Sequence, residues 1–218
     1  MSGKLLVLEG LDGSGKATQA RLLSDALSAR GKRVRMVSFP DYESDASALV
    51  RMYLAGAFGN QPDDVNAYAA SSFYAVDRYA SYKRDWGAFY RDGGIVVADR
   101  YTTSNAVHQC SKLPPERWDA FLNWLFDYEC RLLELPAPDA VFYLRVDLSV
   151  SAGLLDGRRR DTGETADIHE RDREYQERSR AAADYCAERL QWNVVECVRD
   201  GKLRSPDDIH AEIMRRIP

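Results

Sequence analysis

The sequence predicts an α/β fold: a five-stranded parallel sheet flanked by helices. Three observations carry that prediction. Short apolar runs recur along the chain, helix-patterned stretches separate them, and Gly, Asp or Pro bounds the runs. The first run, residues 4–9 (Lys-Leu-Leu-Val-Leu-Glu), is apolar at consecutive positions rather than alternate ones, which marks a strand covered on both faces. A helical stretch over 16–29 follows, with Gly31 as its stop. Residues 33–39 are a weaker strand candidate. A long helical pattern over 65–91 ends before Asp92-Gly93-Gly94 and leads into the run 94–99. The runs 140–146 and, more weakly, 193–198 complete the five. Ser205 can cap a final helix, Pro206 suits its first position, and Asp207 and Asp208 complement the positive end of its dipole. No repeat interrupts this order, so a single domain over 1–218 is expected. One stretch departs from it. Residues 156–166 are polar, carry two glycines and gather Arg158, Arg159 and Arg160, which reads as a loop between helices. Taken alone, such a charge run is a solvated surface.

Composition bounds the function. With 218 residues and 45% hydrophobic content the chain can bury a sizeable core. Its 30 basic and 34 acidic residues give a net charge of −4, unlike a protein that coats nucleic acid, so any phosphate site must be local. Cys110, Cys130, Cys186 and Cys197 form no Cys-x-x-Cys pair and are expected to be reduced thiols in a cytoplasmic protein. The N-terminus runs straight into the short strand at 5–8 without a signal-peptide pattern, and no stretch approaches the roughly 18 apolar residues of a membrane span.

The first strand leads into Gly10-Leu11-Asp12-Gly13-Ser14-Gly15-Lys16, and a helix follows directly. Glycines let the backbone bend so that successive N–H groups face phosphate oxygens, and Lys16 adds a full charge for the β- and γ-phosphates. The expected ligand is ATP, held by Gly10, Gly13, Ser14, Gly15, Lys16, Ala17 and Thr18. Ala17 stands where the motif offers a hydroxyl to Mg²⁺. Thr18 points about 100° away on the helix and is not a substitute, although it can address an α-phosphate oxygen. An ion held by phosphates and water tolerates that loss at reduced affinity. Asp12 needs a cation beside it, or it repels a triphosphate. It either caps the turn or orients the acceptor or a metal-bound water. Asp99 ends the strand at 94–99, from where a carboxylate reaches Mg²⁺ through water.

Asp99-Arg100-Tyr101, together with the loop Glu9 to Lys16, resembles the thymidylate kinase family. The similarity continues through Phe39-Pro40-Asp41-Tyr42, Tyr74 to Arg78, and Asp167-Ile168-His169-Glu170, and so covers nearly the whole chain. The resemblance implies a nucleoside monophosphate kinase fold with a lid at about 156–168, ATP as donor, Mg²⁺ and dTMP as acceptor. It also implies a homodimer packed through long helices such as 65–91. Tyr74, or Phe73 in its place, would stack on the pyrimidine, with Arg78 on the base edge. Arg100 resembles the family's acceptor-phosphate clamp, and Tyr42 an aromatic near that phosphate. Asp41 stands where many relatives carry arginine. Ser104, Asn105 and Gln109 lie where the family contacts thymine and guards against a ribose hydroxyl. With Gly13 inside the loop, the resemblance moves the catalytic arginine to the lid, so the catalytic candidates are Lys16, Asp12, Arg100 and one of Arg158, Arg159 and Arg160. Asp167 and Glu170 would order the lid or approach the acceptor sugar. The competing readings are a related kinase for another monophosphate or a deoxynucleoside, which would need Glu9 or Asp12 as a base, and a nucleotide binder without turnover.

Overall fold

The computed structural model describes residues 3–147, 150 and 173–217. All five anticipated strands form, as β1 (Lys4–Glu9), β2 (Val34–Ser38), β3 (Ile95–Asp99), β4 (Ala140–Arg145) and β5 (Asn193–Glu196). They pair in parallel in the order β2-β3-β1-β4-β5. β1 lies at the centre, and Leu5, Leu6, Val7 and Leu8 have no exposure at all. Their alternation sends Leu5 and Val7 into one core and Leu6 and Leu8 into another on the opposite face. Each such side chain contributes roughly 1.5–3 kcal/mol by leaving water, which is why the run shows no polar alternation.

Eight α-helices cover the sheet among the described residues. α1 (Lys16–Ala29) and α8 (Pro206–Arg215) pack on the Leu6 face through Leu23, Leu27, Ile209 and Ile213. On the Leu5 face lie α3 (Ala67–Ser81), α5 (Thr102–Cys110), α6 (Trp118–Phe126) and α7 (Arg173–Arg189). α2 (Ala48–Leu54) and α4 (Gly87–Arg91) complete the set. Gly31 turns the chain out of α1 with φ 72°, and the Ser205 hydroxyl caps α8 by accepting from Asp208 N. No helix among the described residues is long and apolar enough to cross a membrane. The four cysteines are free thiols.

Two expectations about secondary structure are corrected. The helix anticipated over 65–91 starts at Ala67, because the Asn66 carboxamide accepts from Tyr68 N and Ala69 N and so fixes the first turn. It then widens into a π-helical turn over Tyr82–Trp86 before α4, which brings Tyr82 and Trp86 into the core together. The strand anticipated over 193–198 stops at Glu196, and Val198 instead opens a hairpin of β6 (Val198–Arg199) and β7 (Lys202–Leu203). Asp200 and Gly201 both take positive φ there, as a two-residue hairpin turn requires.

β1 and β3 are neighbours whose chains leave in opposite directions, β1 toward β2 and β3 toward β4 beyond β1. Ligands of parallel sheets bind in the crevice at the carboxyl ends of such strands. Here that crevice is bordered by Glu9, Asp99 and Ser38, with Ser38 and Leu8 both in register with Asp99.

Candidate active site

Between β1 and α1 the chain needs three glycines in conformations other residues resist: Gly10 at φ 157°, Gly13 at 76° and Gly15 at 85°. A Cβ on Gly10 would lie 2.5 Å from Ser14 Oγ and 2.9 Å from the Leu144 carbonyl, whereas one on Gly15 would meet nothing within 4 Å. Gly10 therefore closes the loop against the sheet, and Gly15 leaves open space in front of the helix. Gly15 is the N-cap of α1, no side chain caps that turn, and no acidic residue sits in it. The free N–H groups and the dipole end face a groove lined by Asp12 to Gln19, Ser38, Asp99, Arg100 and, at its far end, Leu203, Arg204, Pro206 and Ile209.

Lys16 lies over this loop, its Nζ donating to the Leu11 carbonyl at 2.8 Å and contacting Ser14 Oγ at 3.5 Å. Burial and the neighbouring Arg100 charge lower its pKa to about 8, against the opposing pull of Asp12, Asp99 and Glu9. Burial is the larger cause, so the Lys16 ammonium is held where its charge is poorly solvated.

Arg100 follows β3 in the left-handed region, at φ 67°, with its N–H bonded to the Leu8 carbonyl at 3.0 Å. That conformation is strained for a non-glycine residue and persists where surrounding contacts fix it. Its guanidinium pairs with Asp12 and reaches Gly10 O and Ser104 Oγ at 3.3 Å each and Glu9 Oε1 at 3.6 Å. Arg100 is thus the cation that stands beside Asp12. Glu9 is fully buried and committed: Gly10 N, Thr103 Oγ1 and Ser104 Oγ donate to its oxygens at 2.9, 2.6 and 2.8 Å. Asp99 borders the groove, and its Oδ1 is buried with no hydrogen-bond partner.

A second pocket continues past Asp12, Phe39, Pro40, Tyr42 and Arg100, which line both spaces, to Leu54, Tyr74, Arg78, Ser104, Asn105, His108 and Gln109. The anticipated acceptor residues Tyr42, Tyr74, Arg78, Arg100, Ser104, Asn105 and Gln109 therefore meet around one space. Tyr74 lines it. Phe73 instead packs on Tyr53 and Phe58, with ring centroids at 6.4 and 5.6 Å. Gln109 is fully buried, with neither amide atom hydrogen-bonded. The Asp41 N–H is held by Asp77 Oδ2 at 2.9 Å, and Arg51 braces the carbonyls of Tyr42 and Ser44 from α2.

Arg78 does not stand free at the base edge. Its Nε and Nη2 donate to Glu129 at 2.7 and 2.5 Å, with both residues almost wholly buried. Glu129 also accepts from Thr102 Oγ1 at 2.6 Å and Asn105 Nδ2 at 2.9 Å, while the same Nδ2 donates to Ser71 O at 3.1 Å. Both neighbours of that nitrogen are acceptors, so the carboxamide orientation is determined and Asn105 Oδ1 remains as an acceptor. Glu129 was missed in the sequence, where Asp127 and Arg131 around it suggest an exposed charged turn; those two do pair with each other. A signal existed. Trp118, Leu122, Leu125 and Glu129 share one helical face, and Glu129 falls in a π-helical turn over Asp127–Leu132 that continues α6. His108 was missed as well. Burial, followed by the charge of Arg100, lowers its pKa to about 3, so it lines the pocket as a neutral ring, stacked with Tyr175. Arg158, Arg159, Arg160, Asp167 and Glu170 lie outside the described residues.

A sequence model described as thymidylate kinase matches residues 8–209 of the chain. The thymidylate kinase of Mycobacterium tuberculosis (strain ATCC 25618 / H37Rv) is 34% identical over 179 residues, 81% of this chain and 82% of that protein. The human thymidylate kinase is 29% identical over 150 residues, 69% of this chain and 64% of its own length. Among solved structures, a thymidylate kinase from Candida albicans superposes with a TM-score of 0.70 at 19% identity, covering 98% of this chain and 90% of that one.

Proposed function

The chain belongs to the thymidylate kinase family of nucleoside monophosphate kinases, and we propose on that premise how its residues divide the phosphorylation of dTMP by ATP. The observation that carries the proposal is the shared wall: Asp12, Tyr42 and Arg100 border both the phosphate-loop groove and the pocket of Tyr74, Arg78 and Asn105. ATP lies with its phosphates on Gly10, Gly13, Ser14, Gly15, Lys16, Ala17 and Thr18. The acceptor lies along α5, its phosphate at Arg100 and its base against Tyr74. Its phosphate oxygen attacks the γ-phosphorus in line, and Lys16 balances the charge on the transferring group. No general base is required, because the attacking oxygen is already anionic. The commitment of Glu9 to three donors and the pairing of Asp12 with Arg100 support a phosphate acceptor over a hydroxyl one, which would need one of these carboxylates free as a base.

Mg²⁺ belongs to the same proposal. The unpartnered Oδ1 of Asp99 beside the groove suits a water-bridged ion. Such an ion would be held mainly by phosphate oxygens and water. When bound, the ion neutralises charge on the β- and γ-oxygens. Ala17→Thr restores a hydroxyl next to Lys16 and is expected to lower the half-saturating Mg²⁺ concentration about three- to tenfold, the worth of one added hydrogen-bonding ligand. An unchanged Mg²⁺ titration would remove Ala17 from the account of metal affinity. Arg158, Arg159 and Arg160 are proposed as the lid that covers the transferring group, within a single cytoplasmic kinase domain. A homodimer packed across α3 is proposed too, supported by the exposed Val76 and Tyr79 on that helix.

The base is read by one acceptor and one donor. Asn105 Oδ1 and the Arg78 Nη1 left over by Glu129 complement the N3–H and O4 of a keto pyrimidine, whereas cytosine presents the reverse pattern. In an ADP-release assay over a panel of monophosphates and nucleosides, dTMP and dUMP are expected to turn over. dCMP should be worse by about 10²-fold or more in kcat/KM, because it leaves both pocket groups unpaired. Turnover of nucleosides alone, or none at saturating Mg²⁺, would overturn the proposal.

A further inference from the structure

We infer that Lys112 is a positioning residue for the acceptor pocket, fastening the aromatic wall of Tyr53 and Tyr74 in the place where the base stacks. The inference rests on the acceptor reading of that pocket. Lys112 lies in the turn after α5, its N–H bonded to the Gln109 carbonyl at 3.2 Å. Its Nζ donates to the Tyr53 hydroxyl at 2.8 Å and to the Val65 carbonyl at 3.0 Å. One ammonium thus joins the end of α5, the last turn of α2 and the residue before the cap of α3. Each of these elements supplies a wall of the pocket: Asn105 and His108 from α5, Leu54 beside Tyr53 from α2, and Tyr74 from α3. Tyr53 is buried, hands its own hydroxyl proton to Pro62 O at 3.2 Å, and meets Tyr74 edge-on with centroids at 6.5 Å. Any movement of the Tyr53 ring is therefore passed to Tyr74. The contacts named for Lys112 and Tyr53 are to α2, α3, α5 and the turn Pro62–Asp64, so the expected effect falls on the acceptor side.

The attachment depends on charge. Burial draws the Lys112 pKa down to about 7, with Asp63 pulling the other way. The groups that act on it are the Tyr53 hydroxyl and ring from α2, the Val65 carbonyl before α3, Asp63 from the 3-10 turn Pro62–Asp64, and His108 on α5. Asp63 is itself paired with Arg178 at 2.8 Å. A neutral amine still donates to Tyr53 and Val65, but without the charge assistance that strengthens such bonds.

Steady-state kinetics of the full chain with ATP and dTMP test this. Lys112→Met should raise the KM for dTMP about tenfold, the worth of one charge-assisted hydrogen bond, with kcat and the KM for ATP within about twofold. Lys112→Arg keeps a permanent cation and should bring the dTMP KM back within about threefold of the parent. Between pH 6 and 8 the ratio of parent to Lys112→Arg KM should climb, since only the parent loses its charge there; the titration of dTMP itself cancels in that ratio. Should Lys112→Met fail to fold, Tyr53→Phe deletes only the hydroxyl that Lys112 binds and should give the same rise. An unchanged dTMP KM in either variant, a flat ratio, or a parallel rise in the KM for ATP overturns the inference. Absence of dTMP turnover in the parent enzyme would instead sink the functional reading beneath it.

Discussion

Lys16→Met is expected to lower kcat by about 10³-fold or more, because the charge on the transferring group is then unbalanced, and yet to make the protein more stable. Both results follow from one fact. Lys16 is almost wholly buried, with a pKa lowered from 10.5 to about 8 by burial and then by Arg100, so the fold holds a cation it disfavours. The sign is fixed by proton binding: between pH 8 and 10.5 the unfolded chain keeps a proton that the folded one has released. Stability therefore rises with pH across that window and is lower below it, and at neutral pH the full penalty is present. Removing the charge should recover on the order of 1–3 kcal/mol, several degrees of melting temperature for a chain of this size. For the parent enzyme, kcat/KM for ATP should fall about tenfold per pH unit above 8, as Lys16 loses the charge that binds phosphate. Thermal unfolding of parent and variant from pH 7 to 10 and the pH profile of ATP usage measure both effects. A variant that melts lower than the parent at pH 7 would show that Lys16 is not held at a cost.

The second large effect is expected at Glu129. Glu129→Ala should cost about 3–5 kcal/mol, since it leaves the Arg78 guanidinium buried without its counter-charge. It also frees the Asn105 carboxamide to turn and removes the acceptor for Thr102. Selectivity for keto pyrimidines should fall together with stability. Replacing both partners, Arg78→Met with Glu129→Met, separates the two consequences: an apolar pair of similar volume restores most of the stability, whereas discrimination between dTMP and dCMP stays lost. Chemical denaturation and paired kcat/KM values for the two acceptors are the measurements. If the double variant regains selectivity, the base is not read through Arg78 and Asn105.

Legibility in the sequence followed the distance over which each feature is made. The phosphate loop was readable because its function lies in consecutive residues, and the structure gives Gly10, Gly13 and Gly15 the positive φ values the reading required. The hairpin at β6 and β7 is equally local, and Asp200-Gly201 between Arg199 and Lys202 was a usable signal, passed over because Val198 continues the apolar run of β5. Glu129 illustrates the opposite case. Its partner Arg78 is 51 residues away, and the neighbouring Asp127 and Arg131 mimic a solvated turn. The choice between Phe73 and Tyr74 was undecidable from adjacent letters, because it depends on which ring the packing of Tyr53 and Phe58 absorbs.

The sequence by itself determined the parallel sheet, the phosphate loop with Lys16, and the Asp99-Arg100 pair at the end of β3, since each is written in a short run whose conformation follows from glycine placement, periodicity and consecutive apolar residues. Only the tertiary structure decided that Arg100 partners Asp12, that Glu129 commits Arg78 and orients Asn105, and that Lys112 draws α2, α3 and α5 onto one ammonium. The physical reason is desolvation. A charge or amide removed from water must find a partner in whatever the fold brings alongside it, and that neighbour is set by packing across the chain rather than by the residues next to it in sequence.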